Sequence, residues 1–426
     1  MHHGVLFYSP GNADLGRMAE AFARAFLPPG VPVFRDGPPA PPPDPAAALI
    51  LAEAGLELPP DRPPPDEAAR AASALAVTVG AGPPGSVPEI PGVKSEFWPV
   101  LDPARVEGVG RKREALRAAR DDLLARVWKM ADSFRPEPAV GIIGGTGFYD
   151  LPGLSDVRRI EVETPFGAPS DALVTGRLAG RRVVFLARHG PRHSFLPSEV
   201  NARANVCAMK RCGVTRLLSV SAVGSLREGI APGRPVLPRQ FIDRTAGRPG
   251  TFFGEGVVAH ASMADPVCNA LADALADAAE AEGGIVHRRG TYLCIEGPQF
   301  STRAESALWR AWGADVVGMT GLPEARLARE AELCYATLAL PTDYDCWREH
   351  TEAVNVDEVM ASLRANTGRA RSILARAVAS LDPGAPCACR TALDAALLTP
   401  PEAIDAKARV RLHAVLARRL SEKGGG

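Results

Sequence analysis

The chain has 426 residues, 46% of them hydrophobic, which is enough for two or three domains with buried cores. Its 49 basic residues balance 49 acidic ones, which excludes a dedicated binder of nucleic acid, and 41 glycines with 40 prolines stay below the level of general disorder. No apolar run is long enough to span a bilayer, and the start Met1-His2-His3-Gly4 lacks the charged and apolar parts of a signal peptide, so a cytosolic protein without membrane attachment is expected.

In chain order, Gly4-Val5-Leu6-Phe7-Tyr8 reads as a short buried strand, and Met18, Phe22 and Phe26 then recur at helical spacing. Between them lies the loop Ser9-Pro10-Gly11-Asn12-Ala13-Asp14-Leu15-Gly16. A strand, a tight loop and a helix start form an anion cradle in general. Further strands are predicted over Val31–Phe34 and Leu75–Val79, followed by a helix with Leu116, Ala119, Leu123, Val127 and Met130 on one face. The proline-rich stretches 37–45 and 59–65 read as surface loops. A polar, proline-containing stretch at 131–138 marks the linker between a first domain, 1–130, and a second, 139–426.

The second domain opens with the apolar run Ala139–Ile143, and Gly144-Gly145-Thr146-Gly147 follows at once. Glycines let a backbone approach a phosphate, and a threonine adds a hydroxyl donor. Arg182–Ala187 reads as a strand delivering Arg188-His189, Leu217–Val220 as one delivering Ser221 and Ala222, and Ala314–Gly318 as one delivering Met319-Thr320. Four strand ends that can hold an anion suggest one convergent site, because ligands of open α/β sheets bind beyond strand ends. A last strand, Ala336–Leu340, leads to Thr342-Asp343-Tyr344-Asp345-Cys346-Trp347, where extended backbone would aim two carboxylates the same way. Such a pair can read a group with adjacent hydrogen-bond donors, such as a purine with a protonated N7 and a 6-amino group. All eight cysteines follow residue 200 without metal-ligand spacing, and His193, His287, His350 and His413 read as packing or surface residues. The helix around 407–420 is expected to pack on the body of the second domain.

Two resemblances extend this reading. Residues 4–130 resemble the low-molecular-weight protein tyrosine phosphatase and arsenate reductase family, with Gly11-Asn12 in its loop and Asp102-Pro103 at its general-acid turn. Ser9 stands where that family has its nucleophilic cysteine and Leu15 where it has its arginine, so the resemblance implies a domain without phosphatase chemistry. Residues 139–381 resemble the trimeric purine nucleoside phosphorylases, in their methylthioadenosine-cleaving branch. The resemblance rests on Gly141–Gly147, Thr164–Asp171, Ala187–Gly190, Gly224–Glu228, Gln240–Thr245, Ile295–Ser306 and Thr342–Trp347.

The fold implied is α/β in two domains: a phosphatase-like parallel-sheet sandwich and a phosphorylase-like twisted mixed sheet flanked by helices. The resemblance implies a phosphate site of Thr146, Arg188, His189, Ser221, Ala222 and Thr320. It places Phe300 against the purine, Met319 against the ribose, Asp343 and Asp345 at the base edge, and Ser301 and Tyr344 beside them. Val356 would line the 5′-alkylthio pocket, with His260 reaching it from a neighbouring subunit of a homotrimer or dimer of trimers. Asp343 is assigned to N7 and Asp345 to the amino edge, although spacing leaves the reverse open. The reaction implied is phosphorolysis with inorganic phosphate as co-substrate and no cofactor or metal. Alternatives are a phosphorylase for another 6-substituted purine nucleoside, such as methylthioinosine, and a nucleoside-sensing protein without catalysis. Cys387-Ala388-Cys389 resembles a Cys-x-Cys of some relatives, and a disulfide there is left open.

Overall fold

The computed structural model describes residues 4–38, 41–80, 90–144, 151, 153–348 and 356–421, the last range without the side chains of 356–365. The chain forms two compact units, residues 1–136 with 255–257 and 399–426, and residues 137–254 with 258–398.

The first unit contains β1 (Gly4–Tyr8), α1 (Ala13–Phe26), β2 (Val33–Asp36), α2 (Pro45–Ala52), α3 (Glu67–Ala71), β3 (Ser73–Gly80), β4 (Lys94–Pro99) and α4 (Val109–Ala131). Its four strands form a parallel sheet in the order β2-β1-β3-β4. The second strand starts at Val33 rather than Val31, because the Val31 N–H closes a turn onto Pro28 O. Asn12 caps α1 by accepting from the Asp14 N–H, and Leu15, Met18 and Phe22 are buried along the helix.

The second unit contains β5 (Ala139–Gly144), β6 (Ser155–Ile160), β7 (Leu173–Leu178), β8 (Arg181–Ala187), α5 (Ala202–Arg211), β9 (Val214–Ser225), β10 (Gln240–Arg244), α6 (Asn269–Ala281), β11 (Thr291–Ile295), α7 (Arg303–Ala311), β12 (Val316–Gly318), α8 (Gly321–Glu330), β13 (Cys334–Asp343) and α9 (Val356–Ser380). They build a nine-stranded mixed sheet, β10-β11-β12-β9-β5-β8-β7-β6, with β13 also paired to β9. The central strands β5, β9 and β13 are largely buried; β5 and most of β13 read as apolar runs, as strands covered on both faces do, whereas β9 carries Arg216, Ser219 and Ser221 among its apolar residues. Beneath α6 and α9, Leu271, Leu275, Ile373, Leu374 and Val378 close over Leu218, Val220, Leu338 and Leu340. The antiparallel edge strand β6 is exposed and carries Arg158 and Arg159, charges that suit an edge.

Two expectations need correction. The strand ending at Val220 runs on to Ser225, so Ser221 and Ala222 lie within β9 rather than in a turn after it. Continuous pairing to β13 keeps that segment extended. The last helix, α10 (Ala406–Ser421), belongs to the first unit. Its Val410, Leu412, Val415, Leu416 and Leu420 are buried, and His413 stacks on Phe26 at 4.2 Å and meets the edge of Trp128 at 4.4 Å. Trp128 Nε1 also donates to Ser421 Oγ at 3.3 Å. The partner of this apolar face is the α1–α4 pair, not the second-domain body.

Among the described residues no helix is long and apolar enough to cross a membrane.

Candidate active site

β9 and β13 run parallel from the pair Arg216 and Cys334 to the pair Gly224 and Asp343. The last residues of β9 also pair antiparallel with β12, Gly224 against Val317 and Ser225 against Val316. Three strands therefore converge on Gly224. A Cβ at this position would stand 3.1 Å from Asp343 Oδ1 and 3.2 Å from the Asp345 Cβ, so glycine makes the room in which both acids sit.

The acids are brought together, but not as alternate positions of one strand. Asp343 is the final residue of β13, whereas Asp345 has φ +53° and lies in the turn beyond it. The Asp345 N–H donates to Asp343 Oδ1 at 2.7 Å, and Thr342 Oγ1 donates to Asp343 Oδ2 at 2.7 Å. Asp345 is 6% exposed and its Oδ2 is buried without a hydrogen-bond partner. Burial pushes the Asp345 carboxyl above the usual carboxylate range; the nearby Ser306 hydroxyl opposes this and the charge of Asp343 adds to it. A buried acceptor without a donor costs about 1–3 kcal/mol, a cost that a ligand N–H would remove.

On the anion side, Ser221 Oγ lies 3.2 Å from Thr320 Oγ1 and 3.2 Å from the Tyr292 phenol oxygen, which also accepts from the Thr320 backbone N–H at 3.5 Å. Ser221 Oγ also donates to Ala222 O at 3.2 Å. Arg188 follows β8 and is buried. Its Nη1 donates to Val220 O at 3.1 Å and its Nη2 to Ser219 Oγ at 2.7 Å, which fixes it behind the Ser221 segment of β9. The same guanidinium faces Glu324 in a two-pronged pair at 3.1 and 3.2 Å. Burial opposes its charge, but the Glu324 carboxylate more than offsets this and leaves Arg188 raised.

His189 donates from Nδ1 to Phe195 O at 2.9 Å and stacks on His193 with ring centroids 4.8 Å apart. Burial, then the Arg188 charge, pull its imidazole down to about 4, so it is neutral at pH 7. With Nδ1 donating to a carbonyl, Nε2 is left as an acceptor.

The remaining predicted residues are distributed as follows. Met319 follows β12, and its sulfur would be 2.6 Å from a Cβ on Gly297, so that glycine lets Met319 lie against the 296–298 loop. Phe300 is 42% exposed. Ser301 O accepts from the Cys346 thiol at 3.1 Å, which ties the 301 loop to the residue after Asp345. Tyr344 meets Trp347 edge-on at 6.0 Å, and the Arg348 guanidinium lies over its ring at 4.5 Å. His260 is exposed and bonds through its backbone N–H to Ala396 O at 2.9 Å. Thr146 and His350 lie outside the described residues; Val356 opens α9, with its side chain outside them.

Four participants escaped the sequence reading. Glu324 receives the Arg188 pair and also the Tyr335 hydroxyl at 2.9 Å, which in turn accepts from Thr337 Oγ1 at 3.1 Å. Tyr292 joins the Ser221 hydroxyl to the Thr320 N–H, and Arg248 donates to Met319 O at 2.7 Å while pairing with Glu296 at 3.0 Å. Glu324 shares its helix with Arg326, Arg329 and Glu330, and only its burial sets it apart. For the tyrosines in apolar strands no sequence sign separates such a role from core packing.

The phosphorylase superfamily model matches residues 139–379. The S-methyl-5′-thioadenosine phosphorylase of Geobacter sulfurreducens is 56% identical over 281 residues, covering 66% of this chain and 98% of that protein. The enzyme of the same name from Koribacter versatilis is 50% identical over 287 residues, covering 67% and 98%. Among solved structures, a methylthioadenosine phosphorylase from an antarctic soil metagenomic library superposes with a TM-score of 0.63 at 49% identity, covering 66% of this chain and 100% of that one. The methylthioadenosine phosphorylase of Schistosoma mansoni in complex with adenine gives 0.57 at 39% identity, covering 62% and 99%. The family match, the identities over nearly the full length of these relatives and the shared fold lead to one statement: the chain belongs to the phosphorylase superfamily, in its methylthioadenosine phosphorylase branch.

Proposed function

We propose that the chain cleaves 5′-methylthioadenosine with inorganic phosphate to adenine and 5-methylthioribose 1-phosphate. The observation that carries this reading is the Asp345 carboxylate, buried with Oδ2 lacking a donor and set against Asp343 over a glycine. Acceptors so placed suit the N7–H and 6-amino donors of adenine and mismatch the O6 acceptor of hypoxanthine or guanine, a mismatch that costs about 1–3 kcal/mol when buried.

In the reaction a phosphate oxygen forms a bond to C1′ while the bond from C1′ to N9 breaks and its electron pair moves onto the purine. Asp343 delivers or shares a proton at N7 and Asp345 holds the amino edge. Asp345, raised by burial and by the charge of Asp343, keeps a proton close to the departing base. Phosphate is held by the Ser221 and Thr320 hydroxyls, by Ala222 and Thr146, and by His189, whose neutral Nε2 accepts from a protonated phosphate oxygen. Arg188 supplies positive charge from behind β9, oriented by Glu324. Phe300 and Ser301 border the purine, with Tyr344 beside the acids, and Met319 lies under the ribose. Val356 lines the 5′-alkylthio pocket, completed by His260 of a neighbouring copy in a homotrimer or dimer of trimers. The first unit contributes no phosphatase chemistry, because a serine, Ser9, stands in place of a thiolate nucleophile and an apolar residue, Leu15, buried in α1, in place of a phosphate-clamping guanidinium.

Paired kinetics on methylthioadenosine and methylthioinosine test the substrate reading. The adenine nucleoside is expected to be favoured at least tenfold in kcat/KM. Equal values would refute the assignment of the acid pair to the 6-amino edge.

A further inference from the structure

Four of the eight cysteines, dispersed over more than a hundred residues of sequence, meet in the second unit. Cys268 precedes α6, Cys334 opens β13, and Cys387 and Cys389 flank the start of the short 3-10 turn Ala388–Thr391. Their sulfurs all lie within 4.8 Å of one another, and those of Cys268 and Cys387 are 3.8 Å apart. All four are free thiols, three buried and Cys387 partly exposed. A zinc ion with Zn–S bonds of about 2.3 Å needs four sulfurs at the corners of a tetrahedron with edges of about 3.8 Å.

A second observation points the same way. Arg216, the β9 partner of Cys334 and 7% exposed, donates from Nη1 to Cys334 Sγ at 2.7 Å and from Nη2 to Ala385 O at 2.8 Å. Four neutral thiols give a buried guanidinium little to compensate. Four thiolates around a divalent cation carry a net charge of −2, which a contacting guanidinium partly neutralises while hydrogen-bonding a ligand sulfur.

We propose that Cys268, Cys334, Cys387 and Cys389 form a structural zinc site. Each ligating thiol releases its proton to solvent as its sulfur bonds the metal, and no electron is transferred. With four protein ligands no coordination position is left for a substrate, so the ion acts as a staple. It ties the segment after α9 to the starts of α6 and β13. β13 separates it from the acid pair: nine residues of strand from Cys334 to Asp343 span about 30 Å. Its loss therefore changes stability and leaves the chemistry in place.

The test uses the full-length chain, purified anaerobically without chelator and analysed for metals. One zinc per chain is expected. Cys387→Ser and Cys389→Ser should each lower zinc content more than tenfold and lower Tm, with kcat on methylthioadenosine within about twofold. Because a variant can fail to fold, a measurement on the native chain stands beside it. Titration with a mercurial reagent should release one zinc per four thiols modified, and cobalt added to the metal-free chain should give the visible bands of a tetrahedral tetrathiolate. A chain that takes up no zinc, one with two disulfides among the four clustered cysteines, or one holding iron instead would overturn the proposal.

Discussion

Two junctions beyond strand ends in this chain invite the same question and answer it differently. At the junction of β1 and α1 the polar groups are spent on one another. Asn12 Nδ2 donates to Asp102 Oδ1 at 2.7 Å, while Asp14 accepts from Arg17 at 2.5 Å, and Arg17, wholly buried, is also held by Asp61 at 2.6 Å. Ser9 is packed against Gly16, where a Cβ would come within 2.3 Å of its hydroxyl. At the ends of β9 and β13, by contrast, a buried carboxylate oxygen is left without a donor. Buried polar groups are normally satisfied within the fold, so an unspent one among spent neighbours is what separates a site from a structural loop.

The largest effect should come from the unspent side. Asp343→Asn removes the carboxyl placed at N7 and should lower kcat/KM on methylthioadenosine by about 10²–10⁴. Asp345 holds the amino edge, and an amide there can donate to O6, so Asp345→Asn should shift the substrate ratio towards methylthioinosine. An unchanged ratio would detach Asp345 from the amino edge.

Next is Glu324→Gln, which leaves Arg188 as a buried charge without its counter-ion. Breaking such a pair typically costs about 3–5 kcal/mol, so Tm should fall, and the phosphate KM should rise more than the methylthioadenosine KM. Equal rises would show that Glu324 only supports the fold.

A smaller effect concerns pH. His189 is held at about 4 in the folded chain against 6.5 for the free side chain, so the unfolded state binds a proton that the folded state refuses as pH drops through that window. Stability contributed by this group is intact above pH 6.5 and is lost towards pH 4, by roughly 1–3 kcal/mol. Tm measured against pH should fall less steeply there for His189→Gln than for the unaltered chain. Parallel curves would mean that the histidine titrates normally.

The smallest effect belongs to the spent junction. Ser9→Ala should leave methylthioadenosine cleavage within about twofold, and the chain should not hydrolyse an aryl phosphate with or without the change. Turnover of an aryl phosphate abolished by Asp102→Asn would erase the contrast between the two junctions.

How much of this was legible in the sequence depends on the range of each interaction. The Gly4–Tyr8 strand, the Met18–Phe22–Phe26 helix face and the strands ending at Ala187 and Gly318 are local patterns and could be read directly. The acid pair was visible as a spacing, but not the left-handed turn at Asp345, since φ +53° at a non-glycine residue is set by tertiary contacts. The apolar face of α10 was visible, whereas its partners Phe26 and Trp128 lie nearly four hundred and three hundred residues earlier in the chain. The same holds for Glu324 with Arg188 and for the four cysteines. Their chemistry lies in proximity that the sheet creates, and no spacing announces it.

The most direct measurement of the central claim is the phosphate dependence of methylthioadenosine cleavage, with products identified by phosphorus NMR. The account predicts a rate that saturates with phosphate, stops in phosphate-free buffer and yields one sugar 1-phosphate per adenine released. Adenine release at the same rate without phosphate, with free methylthioribose as product, would contradict it.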